Sequence, residues 1–139
     1  MAKINIEQAK RRITFASDEL VREVFAEEVK RVVNNTPVVT GTTRANWVVG
    51  IGRKSRAKPK LRKKDPNGQA TIQAAIAKVR KSKVKKKTFF TNAVPWIRVL
   101  EWGLRGRPVR AMVRRVRAAH PQIANMVAAR VLQRARRIR

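Results

Sequence analysis

TPVVTGTTRANWVVGIG, residues 36–52, places a helix stop, a turn and a strand in succession. Pro37 has no amide hydrogen and pushes Thr36 out of helical geometry, so a helix arriving from the N-terminal side ends there. Thr40-Gly41 reads as a turn, because glycine accepts backbone angles that a side chain forbids. Arg44 to Ile51 then reads as a strand: Ala45, Trp47 and Val49 alternate with Asn46 and Val48, and Gly50 and Gly52 close it. A second dense stretch, FFTNAVPWIRVLEWGLRGRPVRAMVR at 89–114, carries similar residues: Pro95, Gly103, Gly106 and Pro108, Trp96 and Trp102, and the acid Glu101.

Upstream of the first stretch, Ile6, Ala9, Ile13, Ala16, Leu20 and Val24 recur at three-to-four spacing and Val29, Val32 and Val33 continue the stripe. This pattern predicts a long helix over 5–34 with that stripe in the core. Downstream, RKSRAKPKLRKK at 53–64 holds eight basic residues in twelve and no acid, which predicts an extended or disordered arm. Asp65-Pro66-Asn67-Gly68 is a turn or helix-start signal, and Ala70 to Val79 a short helix with Ile72, Ala75, Ile76 and Val79 on one face. KSKVKKK at 81–87 adds further charge. Thr88 to Ala93, with Phe89 and Phe90 between threonines, reads as a second strand. Ile97 to Glu101 suggests a brief helix ending at Gly103. From 108 to 137 the composition is helical, with Met112, Val116, Ala119, Ile123, Met126, Val127, Val131 and Leu132 as its apolar stripe and a kink or split expected at Pro121. The whole reads as one domain over 1–139: an α+β fold with a long N-terminal helix and a C-terminal helix packed on a small antiparallel β-sheet. Its strands lie at 44–52 and 86–93, and 53–85 is a basic insertion.

Charge is the chain's strongest bias: 35 Lys and Arg against 8 Asp and Glu, net +27. Residues 1–28 are close to balanced at net −1, so the other 111 residues carry +28, with Asp65 and Glu101 their only acids. Such a surface repels itself and attracts polyanions. The chain has no cysteine, which excludes disulfides and thiolate chemistry. No apolar run approaches the roughly 18 residues of a membrane span, and no signal segment opens the chain, so synthesis in a cytoplasm is expected. Enzyme chemistry is not expected. His120 is the lone histidine and lacks triad partners. The paired carboxylates of the first helix suit i, i+4 surface pairing with Arg22 and Arg31. No glycine loop leads into Lys-Ser or Lys-Thr. No metal or cofactor site is expected. Non-sequence-specific nucleic-acid binding fits the charge, with no reading motif in view. Trp47, Trp96 and Trp102 read as core rather than stacking residues.

The two quoted stretches resemble the signature segments of the tail-completion and neck proteins that join head to tail in long-tailed bacteriophages. The likeness rests on Thr36, Pro37, Val38, Thr40, Gly41, Arg44, Ala45, Asn46 and Trp47, then Asn92, Pro95, Trp96, Leu100, Glu101, Gly103 and Ala111-Met112-Val113-Arg114. It spans roughly residues 5–130. Val39 departs from the family's acid, Thr42 from its arginine and Trp96 from its tyrosine, and the basic blocks exceed an ordinary member's. The resemblance implies a structural virion protein of the neck, present in the host cytoplasm during assembly. It would form a homo-oligomeric ring, hexamer or dodecamer, between portal or connector and tail proteins. Glu101 or the acidic first helix would then pair with basic patches of the next subunit, and Glu101→Lys would abolish assembly or, if the acid is internal, destabilise the monomer. The expected contacts to double-stranded DNA are Arg53, Lys54, Arg56, Lys58, Lys60, Arg62, Lys63 and Lys64 in the first block and Lys83, Lys85, Lys86 and Lys87 in the second. The alternative is a free nucleic-acid-binding protein of nucleoid or ribosomal type.

Overall fold

The computed structural model describes residues 5–83, 86–106 and 108–138. Helix α1 spans Ile6–Asn35, and the side chain of Asn5 caps it by accepting the Gln8 amide at 3.1 Å. It ends as the sequence requires, with Thr36 extended at φ −71°, ψ 125° ahead of Pro37. Val24, Val29, Val32 and Val33 are buried, but Ile6 and Ile13 at the head of the expected stripe are 65% and 67% exposed. The reason is length. Arg12 Nε already meets the carbonyl of Ile138 beyond the end of the C-terminal helix, so the first turns of α1 run past the neighbour that would cover them.

Residues 44–46 do not open the strand. Gly41 turns the chain at φ 79°, and Thr42–Ala45 follow as one helical turn, α2. Asn46 closes that turn by donating from its side-chain amide to the Thr42 carbonyl at 2.8 Å. Strand β1 is therefore Trp47–Ile51. It pairs antiparallel with β2, Thr88–Asn92, in the register Trp47 to Asn92 through Ile51 to Thr88. Two strands make up the sheet among the described residues. The insertion between them holds helix α3, Gln69–Lys81. Beyond β2 come α4, Ile97–Trp102, α5, Met112–Ala118, and α6, His120–Ala135. The expected helix from 108 begins only at Met112, and of the expected kink or split the structure shows a split, at Ala119, with Pro121 in a first-turn position of α6.

One face of α1 packs on α6 and α5, and it also contacts α3. The core gathers where they meet: Val24, Val32, Val33, Trp47, Ile72, Met112, Val116, Ile123, Val127 and Val131 form one cluster. Val29, Val49, Ala75 and Val79 form a smaller one beneath the sheet. Trp47 stacks on Phe90 with centroids 4.8 Å apart. Met126 and Leu132, expected in the stripe, are exposed because Ile123, Val127 and Val131 already fill the inner face of α6 at i, i+4, i+8. Trp96 and Trp102, expected in the core, are exposed too, because they bracket a six-residue helix with no buried position of its own.

The basic block 53–64 is not a free arm. Asn46 pins it to the domain: its Oδ1 accepts the Lys60 amide at 2.7 Å and its Nδ2 donates to the Lys60 carbonyl at 3.1 Å. Backbone bonds are available to a charged segment even where apolar packing is not, and they suffice to lay it along β1.

Candidate nucleic-acid interface

The residues of the two signature stretches make a hydrogen-bonded frame. Arg44 donates Nε to the Thr36 carbonyl at 2.8 Å, Nη2 to Asn34 O at 3.0 Å and Nη1 to Pro66 O at 2.8 Å. One guanidinium thus closes the C-terminus of α1, whose last carbonyls lack helical partners, and ties it to the turn before α3. Glycine is required on both sides of that clasp. A Cβ on Gly41 would lie 2.6 Å from Pro66 N, and one on Gly68 would lie 2.6 Å from Val33 Cγ1. Asp65, buried, accepts the amide and hydroxyl of Thr71 at 2.8 and 2.7 Å and so fixes the first turn of α3. Thr36 donates its hydroxyl to Val32 O at 2.8 Å and accepts the Trp47 indole at 2.9 Å. Thr43 receives the second stretch: its carbonyl accepts Asn92 Nδ2 and its hydroxyl accepts Trp96 Nε1, each at 2.8 Å. Pro37 and Thr40 sit in the turn ahead of this frame, Thr40 Oγ1 lying 2.9 Å from Thr42 Oγ1. Pro95 is exposed at the turn into α4.

Glu101 makes its contacts inside the chain. Its carboxylate accepts the amides of Val113 and Arg114 at 3.1 Å, capping α5, and lies 3.4 Å from Arg114 Nε. The guanidinium of Arg114 also donates to the Glu101 carbonyl at 2.8 Å and lies over the Trp102 ring, 4.0 Å from its centroid. Gly103 ends α4 at φ 77°, and Met112 is fully buried at the start of α5. The acidic face of α1 is likewise engaged within the chain. Glu19 and Glu23 lie 3.7 and 3.6 Å from the Arg134 guanidinium, and Glu27 lies 3.4 Å from Arg31 and 3.9 Å from Arg130. Glu28 meets His120 Nδ1. The pairings expected with a neighbouring subunit thus have partners in the chain itself. Of the expected i, i+4 pairs, Glu27 with Arg31 forms. Arg22 instead donates to the Ser82 carbonyl at 3.1 Å.

The expected DNA-contacting residues fall in separate places, and all the described ones are exposed. Lys58, Lys60 and Lys63 line one cleft of about 400 Å³ beside β1, together with Lys78 of α3. Its floor is Trp47, Val49 and Ala75, with Asn46 and Thr71 supplying polar atoms. Arg53, Lys54 and Arg56 surround a second, shallower cleft of about 340 Å³ against Gly50 and Ile51. Lys86 borders an apolar groove between α1, the end of α3 and the start of α6. Arg62, Lys64, Lys83 and Lys87 stand on the surface away from these clefts, and Lys85 lies outside the described residues.

Lys78 is not among the contacts the sequence suggests. Its signal is its place in α3 beside Ala75 and Val79, at the edge of the helix's apolar stripe, where it emerges next to the sheet. The arginines of α6 differ in kind: Arg130 and Arg134 sit among α1 carboxylates, which lowers their pull on an external anion. No described helix is long and apolar enough to cross a membrane, and among the described residues no three His, Cys, Asp or Glu side chains gather as metal ligands. What the clefts offer is several ammonium groups over a surface of mixed polarity, which suits a phosphodiester backbone without selecting bases. No family model, curated protein or solved structure matches this chain.

Proposed function

We propose that this chain is a structural subunit of a bacteriophage neck, a tail-completion protein that assembles as a ring between portal side and tail and holds duplex DNA by charge. One observation carries the reading. Arg44, Gly41, Trp47, Asn92, Trp96, Glu101, Met112 and Arg114, which carry the family likeness as letters in order, are the residues that clasp, stack and cap the fold. A likeness concentrated on framework residues is what shared architecture would leave, and it assigns no reaction to the chain.

In this reading the work is docking. The clefts around Lys58, Lys60, Lys63 and Lys78 and around Arg53, Lys54 and Arg56 face the DNA, and each phosphate neutralised releases a condensed counterion. With its acids engaged internally, the ring closes through apolar surface, of which Ile6, Ile13 and Val21 on α1 are exposed examples. Electron microscopy of nuclease-treated protein tests this directly. Closed rings with a central channel are expected; featureless monomers at every concentration would contradict it.

The second reading, a free nucleic-acid-binding protein, draws on the same engagement of the carboxylates, which leaves little acid to bind another subunit. It predicts coating of duplex without rings.

A further inference from the structure

The short span from Trp102 to Val113 exposes four large apolar side chains: Trp102 at 62%, Leu104 at 62%, Val109 at 46% and Val113 at 42%. Singly exposed apolar residues need no explanation, but a connected set does. The two ends of this span, Trp102 and Val113, are held close together. Glu101 holds the start of α5 against the end of α4 by accepting the Val113 and Arg114 amides, Arg110 donates its amide to the Leu100 carbonyl at 2.9 Å, and Arg114 lies on Trp102. Val113 is also one wall of an apolar groove of about 530 Å³ between α1, β2 and the α5–α6 junction, lined by Phe25, Phe90 and Pro121. The end of α4, with Trp102 exposed, is therefore held against the start of α5, whose Val113 walls the groove. The arrangement is held against strain: Ala111 sits in the left-handed region at φ 47°, ψ 48°, the only non-glycine with positive φ among the described residues. That geometry lets Met112 reach the core while the next two amides reach Glu101.

Arginines surround this surface, with Arg105 and Arg110 exposed in the loop, Arg114 on Trp102 and Arg117 in the groove wall; the acid in the groove lining, Glu28, is paired with His120. A second copy is a poor occupant. Seven of the eight carboxylates are engaged within the chain, and Asp18 alone among the described residues has no such partner. Nucleic acid would match the rim but offers its phosphates where the centre presents Trp102, Leu104 and Val113. Tryptophan and arginine around an apolar centre are the chemistry of protein-binding hot spots. We propose that the α4–α5 surface docks an acidic protein segment that carries apolar side chains. This surface is distinct from the lysine clefts, and the proposal does not depend on ring formation.

Tryptophan fluorescence of the nuclease-treated full chain tests it, with a synthetic amphipathic peptide of glutamate and leucine as probe and polyglutamate and a short DNA duplex as comparisons. The glutamate–leucine peptide should bind with a blue shift of emission as Trp102 leaves water. Trp102→Ala and Leu104→Asp should each weaken it by about tenfold or more. Lys63→Glu, in the cleft, should leave it unchanged. Leu104→Asp keeps the test valid if Trp102→Ala disturbs Arg114. Polyglutamate binding as tightly as the peptide would reduce the surface to bare charge and overturn the proposal. So would both variants binding as wild type, or the duplex displacing the peptide from the wild-type protein and producing the same Trp102-dependent shift.

Discussion

Arg44 ties the end of α1 to the turn before α3, because its three nitrogens satisfy three carbonyls from two segments. Lysine keeps the charge but has a point ammonium where a planar fork is needed. Arg44→Lys should therefore cost about 2 kcal/mol in urea unfolding, the scale of a charge-assisted hydrogen bond left unmade; a wild-type midpoint would show the clasp to be idle. Glu101 is the complementary case. With its side chain 12% exposed and three donors on it, Glu101→Lys should destabilise the monomer itself by about 3 kcal/mol, since two amides and Arg114 would then face a cation. A stable, fully folded variant would return Glu101 to an intersubunit role. Ala111 runs the other way. Glycine relieves the left-handed strain at some cost in unfolded-chain entropy, so Ala111→Gly should raise stability by about 0.5–1 kcal/mol on thermal or urea unfolding.

At the level of elements, α1, α3, the two strands and the α5–α6 break at Pro121 were legible, because periodicity, Pro37 and the Gly68 turn are local signals. The α2 turn was not. Ala45, Trp47 and Val49 do alternate, but Gly41 and the Asn46 side chain stabilise one helical turn through bonds that alternation does not reveal. The exposure of Ile6, Ile13, Met126 and Leu132 was hidden for a different reason: a stripe says which side of a helix is apolar, not how far its neighbour reaches. Of the site, the lysines of 53–64 were visible as composition, while their gathering with Lys78 depends on Asn46 binding the Lys60 backbone across fourteen residues. The α1–α6 ladder could have been read, since Glu19, Glu23 and Glu27 and also Arg130 and Arg134 recur at four-residue spacing. With the arginines nearly half exposed and the contacts long, at 3.6–3.9 Å, each such pair should contribute about 1 kcal/mol or less, so Arg134→Gln should move the unfolding midpoint only slightly.

Over the whole molecule, the net charge of +27 sets two opposing salt responses. Self-repulsion is screened as salt rises, so the melting temperature of the free protein should increase with ionic strength, whereas a fall would mean that the ion pairs outweigh the repulsion. Duplex affinity should drop over the same range. Replacing Lys58, Lys60, Lys63 and Lys78 with glutamine should flatten the plot of log affinity against log salt by up to about 0.9 for each phosphate no longer neutralised, and Arg130 and Arg134 changes should flatten it less. Equal effects from both sets would remove the distinction between the cleft and the paired arginines.

The neck reading stands or falls on ring formation, and light scattering of the nuclease-treated protein in high salt gives the mass that decides it. A discrete hexamer- or dodecamer-sized species free of nucleic acid is the expected result. A monomer that gains mass only with added nucleic acid, in salt-sensitive and continuously distributed complexes, would overturn the reading and favour the free nucleic-acid-binding protein.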